Sequence, residues 1–148
     1  MNTTTATTTI CAACTADTAS YAEWAQLPNA HHIDRVLAHA KAHPEKWRAE
    51  WESEWDAART LVWDEAWSAA RDEALATARG GVWYEARDAA WNAAQGAARG
   101  VVAALIAWDE AGELFDVPVE EVQAMSMMGL HAPVLIHIAL VVMEDGAA

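Results

Sequence analysis

Tryptophan and arginine recur in this chain at four-residue steps, and no other feature constrains its fold as strongly. Trp47, Trp51, Trp55, Trp63 and Trp67 keep the step, and Trp83, Arg87 and Trp91 resume it. Within the series the unit Trp-x-x-Ala-Arg occurs as Trp55–Arg59, Trp67–Arg71 and Trp83–Arg87. The intervals of 12 and 16 residues between these units are irregular, so they form a degenerate repeat and not a solenoid period. Residues four apart are neighbours on a helix. Arg59 is therefore expected between Trp55 and Trp63, and Arg87 between Trp83 and Trp91. Each such cation–π contact is worth about 0.5–1 kcal/mol when exposed. A four-residue step advances about 400°, so successive rings drift about 40° around the axis. Trp47 and Trp67 then point to nearly opposite faces. One partner helix cannot cover them all, which calls for a bundle or a bundle that associates further.

Alanine dominates between the rings and, with Glu, Arg and Leu, favours helix. Runs of Val and Ile at strand spacing are nearly absent, so the fold class is all-α. The 148 residues suit a single core of ordinary size. Residues 1–16 form a Thr-rich low-complexity tail, and 17–148 read as one domain. A short helix is expected over Thr18–Leu27 and another over His32–His43, with Pro44 opening the next, since proline suits a first helical turn. Helical signals then run from 45 to 109 with one interruption, Gly80-Gly81. The expected form is two long helices in an antiparallel hairpin joined at that pair. Asp116-Val-Pro-Val-Glu120 reads as a helix start with Asp116 as N-cap. That helix should end at Gly129, and Pro133 should open a last, centrally buried helix to Met143. The whole is a bundle of about five or six helices built around the hairpin.

The net charge of −13 argues against direct binding to nucleic-acid phosphates. Its distribution says more. All 9 Lys and Arg lie from Arg35 to Arg99, where they face 11 acids, and from Gly100 onward there are 8 acids and no base. Asp109, Glu110, Glu113, Asp116, Glu120 and Glu121 form the candidate acidic face. From Met125 to Met143 the chain carries no charged residue, but Gly129-Leu-His-Ala-Pro133 interrupts the stretch and its flanks are acidic. It reads as two buried helices, not a membrane span. The N-terminus lacks the features of a secretory signal, and a cytoplasmic protein is expected.

Cys11 and Cys14, with His39 and His43, have the residue types for a tetrahedral zinc site, the two histidines pointing the same way from one helix. The spacer of 24 residues between Cys14 and His39 is longer than in the usual pattern. Solvated histidines and free thiols are the simpler expectation, and no cofactor is expected. His137, in an apolar run, is the best single candidate for acid–base chemistry, with Asp109, Glu113 or His131 as partners. A lone buried histidine more often has a structural role, and no phosphate loop, nucleophile elbow or His-Glu-x-x-His is present, so the chain does not read as an enzyme.

Segments such as Trp-Asp-Glu-Ala-Trp-Ser-Ala-Ala-Arg-Asp-Glu-Ala and Leu-Ile-Ala-Trp-Asp-Glu-Ala-Gly-Glu-Leu-Phe-Asp resemble uncharacterised Ala/Trp/Arg-rich helical proteins of high-GC actinobacteria and their phages. The resemblance covers roughly Ile33 to Val142 and implies an origin without a mechanism. The expected activity is protein–protein contact, with a host protein or with another copy of the chain as a homo-oligomer. Trp47, Trp51, Arg59 and Trp63 are the expected contact face, since Trp and Arg are favoured in interface centres. The rival expectations are an acidic nucleic-acid mimic and a zinc-stapled module.

Overall fold

The computed structural model describes residues 23–54, 57–94 and 96–147. Cys11, Cys14, Trp55 and the Thr-rich tail lie outside the described residues. Among the described residues the chain is all-helical, with no strand. A 3-10 helix, Glu23–Gln26, precedes α1 (Ala30–Ala42), α2 (Pro44–Glu54), α3 (Ala57–Ala76), α4 (Gly80–Ala94) and α5 (Gly96–Ala107). A second 3-10 helix, Asp109–Asp116, leads to α6 (Val119–Met127) and α7 (His131–Ala147). No described helix is long and apolar enough to cross a membrane.

The centre of the molecule is α5. Ala97, Ala98 and every residue from Gly100 to Ala107 are buried, and α1, α2, α3, α4 and α7 all touch it. Its small side chains let neighbouring backbones approach, while Val101, Val102, Leu105 and Ile106 supply the apolar area. Each such side chain contributes about 1.5–3 kcal/mol on full burial. The apolar helix α7 was expected to hold this place; it is largely buried too, but it packs beside α5 and carries α6 on another side.

A helix buried this way needs its terminal carbonyls satisfied. Asn29 Nδ2 donates to Leu105 O at 2.9 Å and to Trp108 O at 3.1 Å. Arg79 donates to Ile106 O at 2.8 Å and to the Asp109 carboxylate at 2.7 Å, which also places a cation at the negative end of α5. Gly112 makes room for this cap. A Cβ there would overlap the Asn29 side-chain oxygen and lie 2.8 Å from His32 Cδ2.

The expected hairpin takes a different form. The chain turns at Thr77-Ala78-Arg79, and Gly80 and Gly81 are already the first two residues of α4. Ala78, not a glycine, adopts the left-handed conformation, with φ 63°. Arg79 N donates to Ala74 O at 2.6 Å and Ala78 N to Leu75 O at 3.2 Å, the paired bonds that close a helix on a left-handed residue. Beyond the turn, α3 packs chiefly on α5 and α7 and only lightly on α4, whereas α4 and α5 pack closely on each other. The two expected long helices are thus four shorter ones.

Other boundaries fall where proline and glycine put them. Pro44 opens α2, and Gly129, with φ 82°, closes α6 through the same pair of bonds that Ala78 makes. Asp116 is not the N-cap of α6. It ends the 3-10 helix, and Pro118 occupies the cap position.

Candidate functional site

The indoles assemble into one row across three helices. Trp63 and Trp67, one turn apart on α3, stack at 5.4 Å and 9°. Trp51 of α2 meets Trp63 edge-on at 5.4 Å, and Trp83 of α4 meets Trp67 at 4.7 Å. Tyr84 closes the row, edge-on to Trp83 at 5.0 Å. Offset and edge-to-face contacts of this kind add about 0.5–1.5 kcal/mol per pair beyond burial. Gly100 lets the row lie on α5. A Cβ there would sit 2.9 Å from Trp63 Nε1 and 3.1 Å from Leu135 Cδ2.

Two arginines sit on the rings. Arg99 of α5 is sandwiched, its guanidinium carbon 4.9 Å from the Trp67 centroid and 5.0 Å from that of Trp91. Its Nε is buried without a hydrogen-bond partner. Burial, with Arg87 adding to it, pulls the Arg99 pKa below the ordinary arginine value. An arginine nonetheless keeps its charge at neutral pH. Arg87 lies 5.0 Å from the Tyr84 ring and 5.8 Å from that of Trp83, and pairs with Asp88 at 3.0 Å. The expected placing of Arg87 between Trp83 and Trp91 is therefore half met: Trp91 takes its cation from Arg99.

On α4 one face is buried and the opposite one is open. Trp83, Ala86, Ala90 and Ala94 face the core, the exposed Gly81, Glu85, Asp88 and Asn92 lie opposite them, and Tyr84, Arg87 and Trp91 line one flank. Tyr84 is 43% exposed and Trp91 49%, large values for aromatic side chains. Sequence reasoning missed this pair as the exposed aromatics. The alanine stripe at 86, 90 and 94 carried the signal, because it marks the inward face of α4 and leaves 84 and 91 on a flank clear of the core.

The expected contact residues lie elsewhere or deeper. Trp47 is fully buried and belongs to the core, so it presents no surface to a partner. Trp51 and Trp63 are half-buried inside the row, and Arg59 is half-buried on α3.

The histidines of the candidate zinc site do come together. His39 and His43 have ring centroids 4.6 Å apart. However, Trp47 Nε1 donates to His39 Nδ1 at 3.0 Å, which puts the remaining ring proton on Nε2, a buried atom without a partner. Metal binding through Nε2 would require moving that proton and breaking the indole bond. Among the described residues no group of three His, Cys, Asp or Glu side chains is arranged to hold a metal ion. His32 stacks on Phe115 at 4.7 Å.

His137 is buried in α7, His131 is exposed beside Trp108, and Asp109 is engaged by Arg79. Of the acidic face, Glu110, Glu113, Asp116, Glu120 and Glu121 are all exposed, spread over the second 3-10 helix and the first turn of α6. No family model matches the chain, and no curated protein or solved structure is detectably similar to it.

Proposed function

We propose that this is a small acidic helical protein that acts in the cytoplasm through protein–protein contact, using the flank of α4 that carries Tyr84 and Trp91. The observation that carries the reading is the exposed pair Tyr84 and Trp91, with the half-buried Arg87 between them and Arg99 behind. Tyr, Trp and Arg dominate the energetic centres of protein interfaces. Here they stand side by side on one helix, Tyr84 edge-on to Trp83 and Trp91 against the Arg99 guanidinium. A contact surface held this way spends little side-chain entropy on binding. The resemblance to actinobacterial and phage proteins supplies one version, a modulator of a host enzyme or defence factor.

Replacing Tyr84 with a photo-crosslinking phenylalanine analogue tests this reading in cells. A discrete crosslinked product, to another protein or to a second copy, is expected from position 84. The exposed Lys41, placed on α1, should give none when substituted the same way. Equal or absent crosslinking from both positions would contradict the proposal.

A second reading draws on the exposed carboxylates of Glu110, Glu113, Asp116, Glu120 and Glu121, which follow one another along two consecutive elements. In it the protein mimics a nucleic acid and occupies the basic groove of another protein. Salt separates the two: binding by a mimic weakens steeply as ionic strength rises, whereas binding by an aromatic face does not.

A further inference from the structure

We infer that the aromatic row carries oxidising equivalents: an electron hole left on one of its indoles passes from ring to ring and ends as a neutral radical on Tyr84, the exposed phenol at the end of the row. Such transfer needs no partner at α4 and stands apart from the contact reading.

Indoles and phenols are among the side chains that most readily give up one electron, and an electron crosses a ring-to-ring contact far faster than a longer span of protein. Here Trp51, Trp63, Trp67, Trp83 and Tyr84 follow one another with centroids 5.4, 5.4, 4.7 and 5.0 Å apart. No gap interrupts the series. It leads from the half-buried Trp51, Trp63 and Trp67 through Trp83, which is 2% exposed, to Tyr84 at the surface.

Charge sets the direction. A hole on an indole is a radical cation, and two guanidinium groups already lie against these rings. Arg99 is 4.9 Å from the Trp67 centroid, and Arg87, paired with Asp88, is 5.8 Å from that of Trp83. Like charges this close, in a site largely out of water, disfavour the hole on either ring. An indole sheds that charge only by losing its N–H proton. Trp83 Nε1 is buried with no hydrogen-bond partner among the described residues, so it keeps the proton and the hole stays mobile. Tyr84 differs because it is open to water. Its phenolic proton leaves with the electron, and the neutral phenoxyl carries no charge to oppose Arg87, 5.0 Å from its ring.

The electrons and protons balance at each step. A one-electron oxidant takes an electron from an indole and is itself reduced. An electron from Tyr84 then restores Trp83, and the phenolic proton goes to water. A thiol or ascorbate in solution returns a hydrogen atom to the phenoxyl oxygen and becomes the thiyl or ascorbyl radical. The oxidising equivalent has then left the core, and every ring is as it began.

Pulse radiolysis of the full chain, with the azide radical as oxidant, tests this. Tyr21 and Trp91 are first replaced by Phe, so that Tyr84 is the one phenol left and the exposed Trp91 offers no second way to it. In this background the indolyl absorption is expected to decay as phenoxyl absorption rises, at a rate independent of protein concentration. Adding Tyr84→Phe, an exposed and conservative change, should abolish the phenoxyl rise. Trp83→Phe and Trp67→Phe each break the row and should also abolish it while Tyr84 remains. Trp108→Phe removes an indole outside the row and should leave the rise unchanged. Circular dichroism confirms that each variant is folded. Absence of a phenoxyl rise in the background chain, a rate that grows with protein concentration, or a rise that survives the breaks at Trp83 and Trp67 would each overturn the inference.

Discussion

Trp47 donates its indole N–H to Nδ1 of His39 at 3.0 Å, tying a fully buried ring of α2 to a histidine of α1. The bond needs the neutral imidazole, because protonation would fill the accepting nitrogen. Burial first, then His43 and Lys46, hold the His39 pKa below the ordinary 6.5. His32 is also lowered, by burial, Arg35 and His31, with Asp116 opposing. The unfolded chain therefore binds protons on these rings at a pH where the folded chain does not. Stability should be full above 6.5 and fall as the pH drops from there through the lowered folded values, levelling below them. Urea unfolding at pH 8 and pH 5, for wild type and His39→Gln, checks this: the variant should show a smaller difference between the two.

The turn between α3 and α4 is built on Ala78, not on the glycines. A left-handed alanine is strained relative to glycine. Ala78→Gly should stabilise the protein by about 0.5–1 kcal/mol. Gly81→Ala should also stabilise, by up to about 1 kcal/mol, since nothing lies within 4 Å of its would-be Cβ and the residue is helical. Thermal melts of both variants test the assignment; destabilisation by Gly81→Ala would return the bend to the glycine pair.

Gly100 is the point where the aromatic row touches the central helix. Gly100→Ala puts a methyl against the Trp63 ring and Leu135 at under 3.2 Å. The cost of overpacking is expected to be about 1–3 kcal/mol, against the gain that alanine brings to an open helix site. Equilibrium unfolding followed by tryptophan fluorescence reads it directly.

Asn29 caps α5 from 76 residues away, donating both amide protons to carbonyls. Asn29→Ala leaves those carbonyls unsatisfied and should cost about 1–3 kcal/mol. Asn29→Asp should cost more at neutral pH, because an ionised carboxylate cannot donate and would face two carbonyl oxygens. Comparing the two variants by urea unfolding separates the loss of a donor from the loss of volume.

Much of the local structure was legible in the sequence. Pro44 and Gly129 mark real boundaries because fixed φ, a missing N–H and a positive φ act within a few residues. The all-helical class followed from alanine content and from spacing. What depends on distant partners was not legible. The centrality of α5 hides in an Ala/Gly/Val run that is weak as a hydrophobic signal, and its cap comes from Asn29 and Arg79 on other elements. Gly80-Gly81 misled because glycine usually marks the left-handed residue, and here Ala78 takes it. At the surface, the Trp-Arg spacing located the aromatic stack but not its open edge: Trp47 turns inward to His39, whereas Trp91 stands half-exposed over Arg99.

The proposed contact lies at the open edge of the aromatic row, at Trp91. The direct measurement is affinity capture with immobilised wild type and with Trp91→Ala, matched by circular dichroism. A protein held by wild type, whether another copy of this chain or a different one, is expected to be lost or held at least about tenfold more weakly by Trp91→Ala. Identical retention by both would contradict it and place the contact surface elsewhere.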